Sequence, residues 1–371
     1  MTETPATLNV VDLLIRLLSA PSVTPEDAGL MDFVAAYLPG YEAIRVDEGG
    51  VKNLFLSRKF GEGEHLCFAG HVDVVPPGEG WESDPFVPLI RDGEIVARGA
   101  QDMKSGVAAF LAAMREAEGF SGTLSLLLTS DEEGDATYGT QIMLRHLREI
   151  GRLPDYAIVA EPTCEERFGD AVKIGRRGSI NGVIEKRGRQ GHAAYPEKAV
   201  NPIHKVAQVL PHMAGVNLDP GDEFFAPSQF VITDIRAGME VTNVTPGKLK
   251  MMFNVRNNTH TDIEKVEAFV HRYFSGMDYD LKLTQSAKPF VTDPDTRVVR
   301  ALDAAIAAET GLTPKHSTAG GTSDARFFAE YGVKVVEFGV RNDTIHAPNE
   351  RVAIEEVEGL YRVFRRVIGE F

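Results

Sequence analysis

The sequence predicts an α/β protein: a mostly parallel sheet with helices on both faces, interrupted by an inserted α+β unit. Short apolar runs alternate with helical patterns through the first half of the chain, and a different texture begins near Ser179. The opening texture then returns near residue 289. A chain of 371 residues also favours about two domains over one. The expected boundaries are 1–178 with 289–371 for the main domain and 179–288 for the insertion.

The elements follow in order. "MTETPATLNVVDLLIRLLSA" spaces Leu and Ile for an amphipathic first helix and lacks the basic start and cleavage site of a secretory signal. "HLCFAGHVD" (65–73), "TLSLLLTSDEE" (123–133), "YAIVAEP" (156–162) and "VKVVEFGV" (333–340) read as short apolar strands. Between them lie the helical patterns "SGVAAFLAAMREAE" and "TQIMLRHLRE", and strands separated by helices predict parallel pairing. The insertion carries "GSINGVIEKRGRQGH", "PIHKVAQVLPHMAG", "SQFVITDIRAG", "KLKMMFNVRN" and "IEKVEAFVHRYF": strand, helix, two strands, helix. "RVVRALDAAIAAETG" and "EEVEGLYRVFRRVIGEF" are the closing helices.

Composition narrows the class. With 43% hydrophobic and 25% charged residues the chain is globular, and no run approaches the ~18 apolar residues of a membrane span. Two cysteines make no disulfide framework, which points to the cytoplasm. A net charge of -15 argues against nucleic acid and anionic membrane as partners.

The acids are not spread evenly. Ligands of open α/β sheets bind beyond the carboxyl ends of the strands, and there the sequence places His71 with Asp73, Glu132 with Glu133, Glu161, and His346 in "RNDTIHAPNE". Asp102 follows the strand-like "GEIVARG". Each has a plainer reading alone: Asp102 as a helix cap, Glu161 as a solvated turn. Five segments converging on one edge are not explained that way. Histidine with carboxylates, and no thiolates at ligand spacing, suits zinc, cobalt or manganese. Two histidines and three carboxylates exceed one catalytic zinc and suit two metals about 3.5 to 4 Å apart sharing a carboxylate, with Asp102 as the natural bridge.

"AGHVDVVPPG", "ARGAQDMKSG", "TSDEEG", "AEPT" and "TIHAPNE" resemble the zinc-dependent aminoacylase and carboxypeptidase family of metallopeptidases. The resemblance implies amide hydrolysis with two Zn²⁺ per subunit, replaceable by Co²⁺ or Mn²⁺. His71, Asp102 and Glu161 would hold one ion and Asp102, Glu133 and His346 the other. Asp73 would orient His71, and Glu132 would stay unligated as general base. Neighbouring strand residues face opposite ways, so a turn at Gly134 is expected to bring Glu132 and Glu133 to one site.

The substrate must be read elsewhere. Residues 173–189 hold six basic side chains (Lys173, Arg176, Arg177, Lys186, Arg187, Arg189) against one acid, Glu185. Part of this is a solvated hairpin, but "GRRGS" offers an arginine grip for a carboxylate. "STAGGTSDARFF" supplies amides at a Gly-rich turn, or only a cap from Thr322 or Ser323. "GRRGSI", "GHAAYPEKAVNPIHK" and "GGTSDARF" resemble one branch of the family, whose small-molecule substrate carries a succinyl carboxylate and two amino-acid carboxylates. That resemblance implies substrate contacts from Arg177, Ser179, Tyr195, Asn243, Arg256, Gly321, Thr322 and Asn342. It also implies that the inserted domain is a lid through which the chain forms a homodimer, in which His192 completes the neighbouring site. Other N-acyl amino-acid deacylases, carboxypeptidases or dipeptidases of the family, and a non-catalytic metal or amino-acid binding protein, are the alternatives.

Overall fold

The computed structural model describes residues 8–371; residues 1–7, the start of the segment read as the first helix, lie outside the described residues. Helix α1 (Val10–Leu18) buries Leu13, Leu14, Leu17 and Leu18, and Asn9 caps it by accepting the Asp12 N–H. Then come α2 (Leu30–Tyr37), β1 (Glu42–Arg45), β2 (Asn53–Lys59), β3 (His65–His71), α3 (Ser105–Arg115), β4 (Thr123–Thr129), α4 (Thr140–Glu149), β5 (Tyr156–Val159) and β6 (Ala171–Lys173). The middle of the chain supplies β7 (Ser179–Arg187), α5 (Pro202–Ala207), β8 (Phe230–Ala237), β9 (Lys248–Val255), α6 (Ile263–Phe274) and β10 (Tyr279–Ala287). Last are α7 (Arg297–Thr310), β11 (Lys315–Ser317), α8 (Ala325–Glu330), β12 (Lys334–Glu337) and α9 (Ile354–Glu370).

These elements form two compact units. One takes the chain up to Gly175 with Thr292–Ser317 and Ser323–Phe371; the other takes Arg176–Val291 and Thr318–Thr322. The first holds an eight-stranded sheet in the order β1-β2-β4-β3-β5-β12-β6-β11. Its central pairs β4–β3, β3–β5 and β5–β12 are parallel, as is β6–β11, whereas β1–β2, β2–β4 and β12–β6 are antiparallel. Leu54 to Leu56, Leu66 to Ala69 and Leu126 to Leu128 are buried without alternation, as expected of strands covered on both faces. Helices α1, α3, α7 and α9 pack into one group and α4 with α8 into another, both seated on the sheet.

Register sets the strand ends level. His71 pairs with Thr129 and Ala69 with Val159, so Glu161, two residues beyond Val159, comes level with His71. The strands stop sooner than their apolar runs suggest, and the remainders (72–73, 130–133, 160–162) form the loops that carry the acids. Gly106, in the first turn of α3, lets that helix approach the end of β5; a Cβ there would lie 2.3 Å from Ala160 Cβ. "GEIVARG" is no part of the large sheet. Glu94–Val96 pairs with Leu89–Arg91 and Arg351–Ala353 in a small sheet of its own.

The second unit is a four-stranded antiparallel sheet, β8-β9-β7-β10, whose burial alternates along each strand. One face closes over Val266, Val270 and Phe274 of α6 and Val206 of α5, with Ile180, Ile184, Met251 and Phe253 from the strands. Gly182 faces Phe253 across the ladder and has no room for a side chain: a Cβ would lie 2.0 Å from the ring. The pattern "PIHKVAQVLPHMAG" does not form one helix. It stops at Ala207 and resumes as a short turn, Leu210–His212, because Pro211 lacks the N–H that an α-helix interior requires.

Candidate metal centre

The strand ends of the first unit gather every residue predicted as a metal ligand. Asp102 enters from an irregular turn before α3, with φ -115° and ψ 101° in place of helical values. Its two carboxylate oxygens face different histidines: Oδ1 is 3.2 Å from His71 Nε2 and Oδ2 is 3.3 Å from His346 Nε2. His346 Nε2 is also 3.0 Å from Glu133 Oε1. On the other side, His71 Nε2 lies 3.8 Å from Glu161 Oε1 and 3.9 Å from Glu132 Oε2. Among the described residues two triads have ligand atoms within 4.8 Å of one another: His71, Asp102 and Glu133, and His71, Glu132 and Glu161. Glu132, expected to stay clear of the ligands, thus stands within reach of one triad.

The residues behind these ligands differ in part from expectation. His71 Nδ1 donates to the main-chain carbonyl of Asp73 at 2.8 Å, with the Asp73 carboxylate at 3.6 Å. A proton held on Nδ1 leaves Nε2 free for a metal. The Asp73 carboxylate instead accepts the N–H groups of Glu132 and Glu133, at 3.4 and 3.1 Å, and so holds the acidic turn in place. Asp131 supports the same turn by accepting the Tyr138 N–H at 2.9 Å. His346 sits at φ 59°, a left-handed conformation costing about 1–2 kcal/mol for a residue with a Cβ.

The electrostatics of the cluster favour a cation. Burial raises the pKa of Glu161 and Glu132 well above the ordinary carboxylate range, and neighbouring acids push the same way. Burial alone would lower the pKa of His71, but its hydrogen bond with Asp102 and the charges of Glu132, Asp73 and Glu161 outweigh this and raise it. His346 is raised to about 10 by its hydrogen bonds with Asp102 and Glu133. Asp102 is held well below its usual value: burial opposes this, but the two histidines prevail. Glu161 Oε1 is buried without a hydrogen-bond partner, a costly state that a cation among these oxygens would relieve. The donor set of imidazole and carboxylate, and that orphaned oxygen, fit one or two divalent ions.

Both histidines must be deprotonated to ligate, so below the raised pKa of His346 protons compete with the metal and affinity climbs with pH. Near pH 8, metal uptake is expected to release protons, read by calorimetry in buffers of different ionisation enthalpy. Heats independent of buffer would contradict this arrangement.

The residues predicted for substrate divide between the units. Asn342 belongs to the first, where its N–H donates to the Cys164 carbonyl at 3.1 Å. The others belong to the second. There His192, Tyr195 and Asn243 are neighbours: the Tyr195 N–H donates to the His192 carbonyl, the Ala193 N–H donates to the Asn243 carbonyl, and the two rings lie 5.8 Å apart. Ser179 Oγ accepts from Asn254 Nδ2 at 3.0 Å, while Arg256 is exposed. The Gly321 carbonyl accepts from Arg176 at 3.3 Å, shaping the turn that holds Thr322. Neither Thr322 nor Ser323 caps the next helix. Asp324 occupies that position without a side-chain capping bond, and Ser323 Oγ donates to Glu337 instead.

Sequence reasoning passed over Arg98, Gln101 and Glu350. The motifs "ARGAQD" and "HAPNE" contain all three, and all three are buried, but nothing in their spacing marks the contacts between them.

Residues 67–370 match the sequence profile of peptidase family M20/M25/M40, and the chain belongs to that family. Its curated relatives include the succinyl-diaminopimelate desuccinylases of Nitratiruptor sp. and Sulfurovum sp., each 73% identical over 364 residues. These alignments cover 98% of this chain and 100% and 99% of the two relatives. Among solved structures, aminopeptidase PepT of Bacillus cereus has a TM-score of 0.79 at 22% identity, covering 98% of this chain and 99% of its own. A Bacillus subtilis dinuclear metal binding peptidase of the M20 family has a TM-score of 0.69 at 15% identity, covering 97% and 96%. Both share the α/β fold expected from the sequence.

Proposed function

We propose that the chain is a metal-dependent amide hydrolase that cleaves N-succinyl-L,L-2,6-diaminopimelate to succinate and L,L-diaminopimelate, in lysine and diaminopimelate biosynthesis. The observation that carries the substrate is the end-to-end 73% identity to curated desuccinylases. The chemistry is supported by Asp102, whose two oxygens are turned to two histidines as a bridging carboxylate requires.

In this reading two Zn²⁺ ions, replaceable by Co²⁺ or Mn²⁺, lie among His71, Asp102, Glu133, Glu161 and His346. Bound there, such ions polarise an amide carbonyl and make water acidic enough to attack near neutral pH. Glu132 takes the proton from the attacking water and delivers it to the departing amine, as a general base and then acid. Arg177, Arg256, Ser179, Tyr195, Asn243, Asn342 and the Gly321–Thr322 turn hold the three carboxylates of the substrate. The protein acts as a homodimer in the cytoplasm, and His192 of the partner subunit donates to the carbonyl oxygen as it gains charge. The dimer is supported by β8, an edge strand whose Val231 and Ile235 are exposed, since an apolar edge invites pairing. Two free buried cysteines accord with the cytoplasm.

The test is hydrolysis of N-succinyl-diaminopimelate, N-acetylornithine and a dipeptide panel, before and after chelation, with metal content measured on the same sample. Fastest turnover of the succinyl substrate, lost on chelation and restored by metal, is expected. Preference for another substrate would reassign the chain within its family, and no hydrolysis at all would favour a binding protein.

A further inference from the structure

We infer that Arg98, buried in an ion pair with Glu350, is a positioning residue for the His346 side of the metal centre; this rests on the two-metal reading above. Both side chains are fully buried, and Arg98 Nη1 donates to Glu350 Oε2 at 2.7 Å. The pair reaches into two loops at once. Glu350 accepts the N–H groups of Gly99, Gln101 and Asp102 at 2.9, 2.8 and 3.0 Å, which fixes the turn presenting Asp102. Arg98 donates to the main-chain carbonyls of His346 and Ala347, each at 3.3 Å, and to that of Pro77 at 3.2 Å, under the Trp81 ring. Gln101 ties the same loops a second time, accepting from Thr344 N and Oγ1 and donating to Asp343.

The His346 carbonyl is the informative contact. At φ 59° this residue holds a conformation that side chains disfavour, and the direction of its carbonyl is what Arg98 grips. Released, the backbone would relax toward right-handed or extended values and swing the imidazole away from Asp102 Oδ2 and Glu133 Oε1. His71 and Glu161 are held by other means, the Asp73 carbonyl and the end of β5. The two metal positions should therefore depend on Arg98 unequally. Glu350 holds the shared Asp102 and should affect both. A role in packing alone carries no such asymmetry.

The experiment is titration of metal-free protein with Co²⁺, followed by visible absorption and calorimetry. The unaltered protein should take up two equivalents. In Arg98→Met the second equivalent should bind about 10- to 100-fold more weakly, with the first little changed. Glu350→Gln should weaken both. Arg98→Lys keeps a charge beside Glu350 but cannot span both carbonyls; its second equivalent should fall between, which preserves the test if the methionine variant does not fold. Arginine variants that bind both equivalents as the unaltered protein does, or lose both in proportion, would overturn the inference. Fewer than two equivalents on the unaltered protein would defeat the two-metal reading, and the inference with it.

Discussion

Glu132→Gln should lower turnover by about 10²- to 10⁴-fold while metal content stays unchanged, the usual loss when a positioned general base is removed. Its carboxylate is mostly buried, makes no hydrogen bond among the described residues, and stands 3.9 Å from His71 Nε2. A proton carrier needs that freedom. Burial raises its pKa, and so does repulsion from Asp324, Asp102 and Glu133; bound cations would offset that repulsion and return the group toward the working pH of a base. Glutamine keeps the shape and cannot take the proton. The measurement is kcat beside metal analysis of the same preparation. Substantial residual turnover would move the base elsewhere, and loss of metal would make Glu132 a ligand, as its place in a triad with His71 and Glu161 allows.

His192→Ala should cost about 10²–10³ in turnover, the typical loss of one oxyanion donor, again with metals retained. His192 is exposed on a two-residue strand of the inserted unit, where its Nδ1 accepts the Ala194 N–H at 3.1 Å and leaves Nε2 to donate. The dimeric reading makes a sharper demand. Mixing the inactive His192→Ala and Glu132→Gln proteins under exchange should restore activity to about one quarter of the sites, since in half of the dimers one site pairs an intact Glu132 with an intact His192 from its neighbour. If His192 serves its own subunit, mixing restores nothing.

Most of the constellation was legible because His71, Glu132, Glu133 and Glu161 follow apolar runs, and such runs stop where a sheet meets its crevice; the run before Asp102 belongs to a separate small sheet. The ties between loops were not. Arg98 and Glu350 stand 252 positions apart, and a buried ion pair leaves no periodic trace in either segment. The helix pattern through Val209 hid the break at Pro211, although that proline was in plain view. The role of Asp73 was half legible: its place beside His71 could be read, but not that the histidine takes the carbonyl while the carboxylate serves the acidic turn. Which donor meets which acceptor depends on the path of the main chain, and side-chain spacing does not record that path.

The large sheet is not assembled in chain order. Its strand β12 lies between β5 and β6, yet leaves the ribosome long after both, and His346 follows it. While a nascent chain still ends within the inserted unit, the sheet has a gap at its middle and the acids stand without one of their two histidines. The inserted unit is nearly continuous in sequence and can fold first, whereas the larger unit must wait for its last tenth. A product cut short before His346 would carry the carboxylates and only half of the imidazole that balances them.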